Sequence, residues 1–200
     1  MLIGVEWSTC PDGVSAPVFI YLCSMRKISN EELNRPDLET FKSQPKIPIT
    51  LVLDNIRSMH NVGSAFRTAD AFAIEAIVLC GITAQPPHRE IHKTALGATE
   101  SVHWRYEKEV TTACEQLKSE GYQLWAVEQA DESTMLERFS VAEGTKYALV
   151  FGNEVFGVSD EAVALADGCI EIPQFGTKHS LNVSVSTGVV LWELVRQLRF

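Results

Sequence analysis

The chain of 200 residues is poor in the features that mark several protein classes. Its five cysteines (Cys10, Cys23, Cys80, Cys114 and Cys169) are odd in number, widely scattered and never in a C-x-x-C pair. That excludes a disulfide framework and a zinc ribbon, and leaves reduced thiols and no metal as the expectation. No apolar run approaches the roughly 20 residues of a bilayer span. The apolar stretch at residues 14–23 is preceded by Glu6 and Asp12 rather than by a basic segment, so it does not have the form of a signal peptide, and a cytoplasmic protein without membrane contact is expected. Basic charge is scarce as well: Lys+Arg 17 against Asp+Glu 26 gives −9, which argues against coating nucleic acid by bulk charge. The 46% hydrophobic and 22% charged residues that are present describe one globular domain with a substantial core, not a disordered or collagenous chain.

The charge is unevenly spread. Residues 109–161 hold eleven acids against three bases (Lys118, Arg138 and Lys146), so −8 of the −9 lies in that stretch. Arg57 and Arg67 stand in an acid-free segment, and residues 82–108 carry Arg89, Lys93, Arg105 and Lys108 with His88, His92 and His103. An ordinary solvated surface or a local basic face on an acidic protein both fit this pattern.

Residues 1–24 read unlike the rest, and Met25-Arg26-Lys27 looks a more natural start. Residues 1–24 are therefore expected to be a poorly ordered or mis-assigned extension. Ser29 and Glu32 form a capping-box pattern for a short helix that Pro36 interrupts, and residues 40–48, with Pro45 and Pro48, read as a linker, so residues 25–48 form a short helical extension. From Ile49 onward, strand-like runs at 49–53, 76–80, 122–127, 147–151 and 169–172 alternate with helical periodicity near 61–73, 108–120 and 182–198. Such alternation predicts an α/β fold, a mainly parallel sheet with helices on both faces, over residues 49–200. The last helix is apolar around much of its circumference, from Val183 to Leu198, and is either sandwiched in the core or buried against a second subunit.

Three segments follow strand-like runs, where open α/β sheets bind ligands. In the first, Asn61 caps a helix, Gly63 allows close approach to its backbone, and Arg67 lies one turn on, its planar fork suited to a phosphate. In the second, Gly152 and Gly157 bracket Glu154. This is neither a P-loop nor a dinucleotide fingerprint, and the latter is missing after Leu53 too, which weighs against a nicotinamide-dependent oxidoreductase. In the third, Ser180, Asn182, Ser184 and Ser186 open an otherwise apolar helix, either as caps or as groups facing a site.

Taken together, Asn61-x-Gly63-x-x-x-Arg67, Gly152-Asn153-Glu154-x-x-Gly157, and Ile172-Pro173-x-x-Gly176 leading into Ser180-Leu181-Asn182 resemble the SpoU family of RNA 2′-O-ribose methyltransferases, which belongs to the SPOUT class. The resemblance implies a C-terminal trefoil knot, which no periodicity reveals because ordinary topology rules make knots exceptional. It implies S-adenosylmethionine held in the knotted loops by Gly152, Ile172 and Leu181, a homodimer, and an RNA substrate, tRNA or rRNA. The catalytic positions it carries over are Asn61, Arg67, Glu154, Ser180 and Asn182. Arg67 is expected to clamp a phosphate and stabilise developing alkoxide, Glu154 to orient Arg67 or accept the proton, and Ser180 and Asn182 to position the ribose. Gln174, where the family usually has Met, and Lys178-His179, where an acid is frequent, depart from its pattern. RNA is expected to meet Arg57, Arg67 and the 88–108 face, so that neutralising Arg89 and Lys93 together weakens its binding. The alternative is a non-catalytic RNA-binding or scaffold protein that keeps the fold, and cofactor titration separates the two.

Overall fold

The structure, a computed structural model, describes residues 26–200 together with two short strands, β1 (Glu6–Thr9) and β2 (Ser15–Val18). The expectation for residues 1–24 falls largely outside the described residues; within them β1 and β2 pair antiparallel. The chain divides into two compact units, Met1–Pro36 and Asp37–Phe200. In the first, the capping box forms reciprocally at the 3-10 helix Glu31–Leu33. The Ser29 N–H donates to Glu32 Oε2 at 2.8 Å, and the Glu32 N–H donates to Ser29 Oγ at 3.4 Å. Residues 40–48, read above as a linker, contain most of helix α1 (Leu38–Ser43) and the start of strand β3 (Ile47–Asp54). Asp37 caps α1 by accepting from the Thr40 N–H at 2.8 Å, and both prolines fall beyond its end, where they do not interrupt it.

The second unit is built on a sheet of seven strands, all paired in parallel, in the order β5-β4-β3-β8-β6-β9-β7. Besides β3 these are β4 (Ile74–Cys80), β5 (His103–Glu107), β6 (Tyr122–Val127), β7 (Thr134–Met135), β8 (Lys146–Phe151) and β9 (Gly168–Glu171). Alternate residues feed two cores. Leu51, Leu53, Ile77, Leu149 and Phe151 pack with helices α2 (Met59–Ala71), α3 (Arg89–Ala95) and α7 (Val183–Arg199). Val52, Val78, Leu124 and Val150 pack with α5 (Val110–Ser119) and α6 (Asp160–Leu165) on the other face. Helix α4 (Ala98–Ser101) leads into β5. Strand β5 and the short helices α3, α4 and α6 gave no periodic signal: β5 is a half-buried edge strand carrying His103, Arg105 and Glu107, so its composition is that of a surface.

Gly63 is needed, but not for a ligand. A Cβ there would lie 2.1 Å from Thr94 Oγ1 and 2.4 Å from the Ile91 carbonyl oxygen, so the glycine lets α3 press against α2. Gly63→Ala is expected to cost about 1–3 kcal/mol through overpacking, read as a lowered midpoint of urea unfolding. Among the described residues Cys80, Cys114 and Cys169 are buried free thiols, and burial pushes Cys80 up to about 12 and Cys114 up to about 11, which leaves them unreactive at neutral pH. No helix among the described residues is long and apolar enough to cross a membrane.

Helix α7 divides the alternatives read from its sequence. Thr187, Val190, Leu191, Leu194 and Val195 are buried in the core, and Gln197 donates to the Phe139 carbonyl at 2.8 Å. Val185, Val189 and Trp192 remain exposed along another side.

Candidate active site

In a parallel sheet, ligands gather beyond the C-terminal strand ends where the strand order changes direction. Here that point lies between β3 and β8, and the loops after them are tied together. Asp54, buried at the end of β3, accepts the Ser159 N–H at 2.9 Å and the Asn55 side-chain amide at 2.7 Å. Asn153 donates to the Asn55 carbonyl at 2.7 Å, and its Oδ1 accepts the N–H groups of Val155 at 2.8 Å and Phe156 at 3.2 Å. The turn closes with paired Asn153–Gly157 backbone bonds of 2.8 and 2.9 Å, with Gly157 at φ +73°.

Glu154 projects from this turn and holds the start of α2. Its carboxylate accepts the N–H groups of Arg57 at 2.9 Å and Ser58 at 3.0 Å, and the Asn61 side-chain amide at 3.0 Å. Burial pushes the Glu154 carboxyl up, but the backbone donors of Arg57, of its own loop and of Ser58, with Asn61, outweigh it, and the net shift is downward. Asn61 Oδ1 in turn accepts the side-chain amide of Asn182 at 3.3 Å. Three segments far apart in sequence are thereby joined through Asn61. The helix cap assigned to Asn61 belongs instead to Ser58, whose Oγ accepts the Asn61 N–H at 3.3 Å, while Asn182 caps α7 by accepting the Ser184 N–H at 2.9 Å.

A cavity of about 500 Å³ opens beside this junction, and Gly152, Ile172, Leu181, Glu154, Ser180 and Asn182 all line it. Gly152 allows the turn to fold back: a Cβ there would stand 2.0 Å from the Gly157 carbonyl carbon and the Val158 nitrogen. Gly152→Ala is accordingly expected to displace the turn and abolish ligand binding, read by calorimetric titration alongside a circular dichroism spectrum that reports whether the fold survives. Asn61 reaches the cavity through Glu154 and Asn182. Arg67 does not line it; it is exposed, six residues further along α2, and its guanidinium makes no hydrogen bond or ion pair among the described residues. Glu154 is thus engaged by the Arg57–Asn61 segment and does not orient Arg67.

The sequence reading missed Glu128. It follows β6, lines the cavity, and accepts the N–H groups of Gln129 at 2.9 Å and Val158 at 2.9 Å, while Gln129 donates to the His179 carbonyl at 3.0 Å. An acid at a strand's C-terminal end was the available signal. Among the described residues the cavity is lined by three acids, Glu128, Glu154 and Glu171, and by no lysine or arginine. Its apolar part includes Val127, Ile170, Ile172 and Leu181. Such a site favours a ligand that is apolar in body and positive in charge over a diphosphate.

A parallel sheet with loops converging on an acidic, apolar-walled cavity beyond its switch point defines an α/β enzyme domain for a small organic ligand. The chain belongs to the SpoU rRNA Methylase family, whose profile matches residues 48–192. It is similar to a tRNA (guanosine(18)-2′-O)-methyltransferase of Thermus thermophilus, with 32% identity over 83% of this chain and 84% of that one. It is also similar to the 23S rRNA (guanosine-2′-O-)-methyltransferase RlmB of Haemophilus influenzae, with 35% identity over 84% of this chain and 67% of that one. Among solved structures, the A. aeolicus TrmH/SpoU tRNA modifying enzyme superposes with TM-score 0.70 at 29% identity, covering 80% of this chain and 79% of that one. The AdoMet-bound rRNA methyltransferase from Sinorhizobium meliloti gives 0.71 at 27% identity, covering 82% and 61%.

Proposed function

We propose that the protein transfers a methyl group from S-adenosylmethionine to a ribose 2′-hydroxyl of tRNA or rRNA, with residues 49–200 as the catalytic domain. The observation that carries this is the acidic, apolar-walled cavity whose rim joins the Asn61, Glu154 and Asn182 segments. At about 500 Å³ it lies in the roughly 300–1,000 Å³ range of small-molecule sites. Its carboxylates suit a fixed sulfonium charge, and a nicotinamide dinucleotide would meet them with its diphosphate. When bound, the cofactor supplies a methyl group already activated by the sulfonium.

Gly152 gives the ligand a close backbone wall, and Ile172 and Leu181 give apolar walls for a neutral adenine ring. Ser180 and Asn182, on the cavity wall, offer hydroxyl and amide groups that orient the ribose, with Asn61 holding Asn182 in place, and the reacting oxygen gains its rate chiefly from that placement. Glu154 holds Asn61 and the start of α2 in position; a carboxylate already accepting several N–H bonds, with its pKa lowered, is a weak proton acceptor. Arg67, exposed and unpaired among the described residues, is left for an RNA phosphate and the developing negative charge.

The exposed Val185, Val189 and Trp192 on α7, on the helix that begins at Asn182, support a homodimer formed through that face. The return of β8 between β3 and β6, before β9 passes to the far side of β6, supports threading of the C-terminal loops as a trefoil knot. A cytoplasmic enzyme fits the RNA substrate. The non-catalytic alternative requires no cofactor, so titration decides: S-adenosylmethionine binds the wild type, Leu181→Ala binds it about 10-fold more weakly through lost apolar contact, and NADH gives no heat. Absence of S-adenosylmethionine binding overturns the proposal. Comparison of 2′-O-methyl sites in RNA from cells with and without the gene then names the target.

A further inference from the structure

A second cavity of about 480 Å³ lies between α3, α4 and the edge strand β5, walled by Pro86, Pro87, Ile91 and Trp104, with His88, Arg89 and His92 also lining it. The proposed reaction has no use for it. We infer that this cavity binds a nucleobase of the substrate RNA other than the reacting nucleotide, with Arg89 on the adjoining phosphate. The inference rests on the RNA methyltransferase reading and adds to it a second recognition point.

The chemistry of the walls carries it. Trp104 is half-buried, meets Phe66 edge-on with ring centroids 6.4 Å apart, and its indole N–H has no hydrogen-bond partner among the described residues. The indole and two proline rings give the cavity an apolar wall, and a nucleobase is the ligand class with a π-face and a polar edge to match it. The edge is met by Thr99 and Glu100, also on the wall, a carboxylate being an acceptor for exocyclic amino groups. His88 accepts the Glu90 N–H on Nδ1 at 3.2 Å, which leaves Nε2 as a donor.

The charges separate this site from a diffuse basic surface. Lys93 is bound to Glu90 at 2.7 Å, Arg105 lies 3.9 Å from Glu107, and Lys108 lies 3.8 Å from Glu109. Of the four cations between residues 82 and 108, Arg89 alone makes no ion pair among the described residues. The RNA-facing pair read from the sequence, Arg89 with Lys93, therefore contains one cation with no acidic partner among the described residues and one paired with Glu90. Helix α3, which carries Arg89, Ile91 and His92, is also bonded to the start of α2 beside the first cavity. Thr94 donates to the His60 carbonyl at 3.1 Å, His60 meets Glu90 at 3.0 Å, and the next residue, Asn61, holds Glu154.

The test titrates wild type, Arg89→Ala, Lys93→Ala and Trp104→Phe with labelled total tRNA and with rRNA fragments, and separately with S-adenosylmethionine. Arg89→Ala is expected to weaken RNA binding about 10-fold and Trp104→Phe about 3-fold, while Lys93→Ala stays within about 2-fold and cofactor affinity is unchanged in all. RNA containing 4-thiouridine is expected to crosslink on irradiation to the segment 86–104. Equal losses for Arg89→Ala and Lys93→Ala, an unchanged Arg89→Ala, or no crosslink in that segment overturns the inference, and the crosslink decides should Trp104→Phe not fold. If wild type transfers methyl groups to RNA while these contrasts fail, the cavity inference falls and the enzymatic reading stands. If wild type transfers none, the enzymatic reading falls.

Discussion

Replacing Arg67 with alanine is expected to lower kcat by on the order of 10²–10³-fold, the usual loss when a donor to developing negative charge is removed, with the S-adenosylmethionine Kd unchanged. The separation of the two effects follows from geometry: Arg67 is exposed on α2 and absent from the cavity wall that Gly152, Ile172 and Leu181 form. A guanidinium offers two parallel bonds to a phosphate and an ammonium one point charge, so Arg67→Lys is expected to recover only part of the lost rate. Single-turnover methylation together with cofactor titration checks both. A variant that binds cofactor weakly but turns over normally once saturated would place Arg67 in the cofactor site instead.

Glu154→Ala is expected to reduce kcat by about 100-fold, because it releases the Arg57 and Ser58 N–H groups and the Asn61 amide from their shared acceptor, and a shift of the order of 1 Å in a positioning segment costs about that much in rate. Glu154→Gln keeps one acceptor oxygen but points an amide NH2 group at a donor, and is expected to retain more activity than alanine. The pH dependence separates clamp from base. The lowered carboxyl of Glu154 contributes stability that is present above its unfolded pKa and lost as pH falls through its folded value. Thermal midpoints of wild type and Glu154→Ala should therefore differ at neutral pH and converge in acid below the ordinary carboxylate range. The kcat profile between about pH 6 and 9 should keep its shape in Glu154→Gln; loss of a titrating limb there would make Glu154 the proton acceptor.

The buried strands were the most legible part of the fold. Residues 122–127 and 147–151 read as apolar runs bounded by turn residues and appear as β6 and β8 almost without change, because strands covered on both faces have little freedom in composition. Strand β5 was silent for the converse reason: at the sheet edge, His103, Arg105 and Glu107 are tolerated. The site divided in the same way. Glu154 and Asn182 follow glycine and serine patterns at strand and helix ends and are found on the cavity wall. Their connection through Asn61 spans sequence separations of 93 and 121 residues, and long-range hydrogen bonds leave no local trace. Gly63 carried a readable signal, close approach to its backbone, and only packing against Thr94 and Ile91 shows that a neighbouring helix makes that approach.

The most direct measurement incubates the purified protein with methyl-labelled S-adenosylmethionine and total tRNA or rRNA, digests the RNA to nucleosides and asks which atom carries the label. Label recovered on 2′-O-methylribose, and lost in Arg67→Ala, is the expected result. Label on a base, or none in any RNA despite bound cofactor, would contradict it.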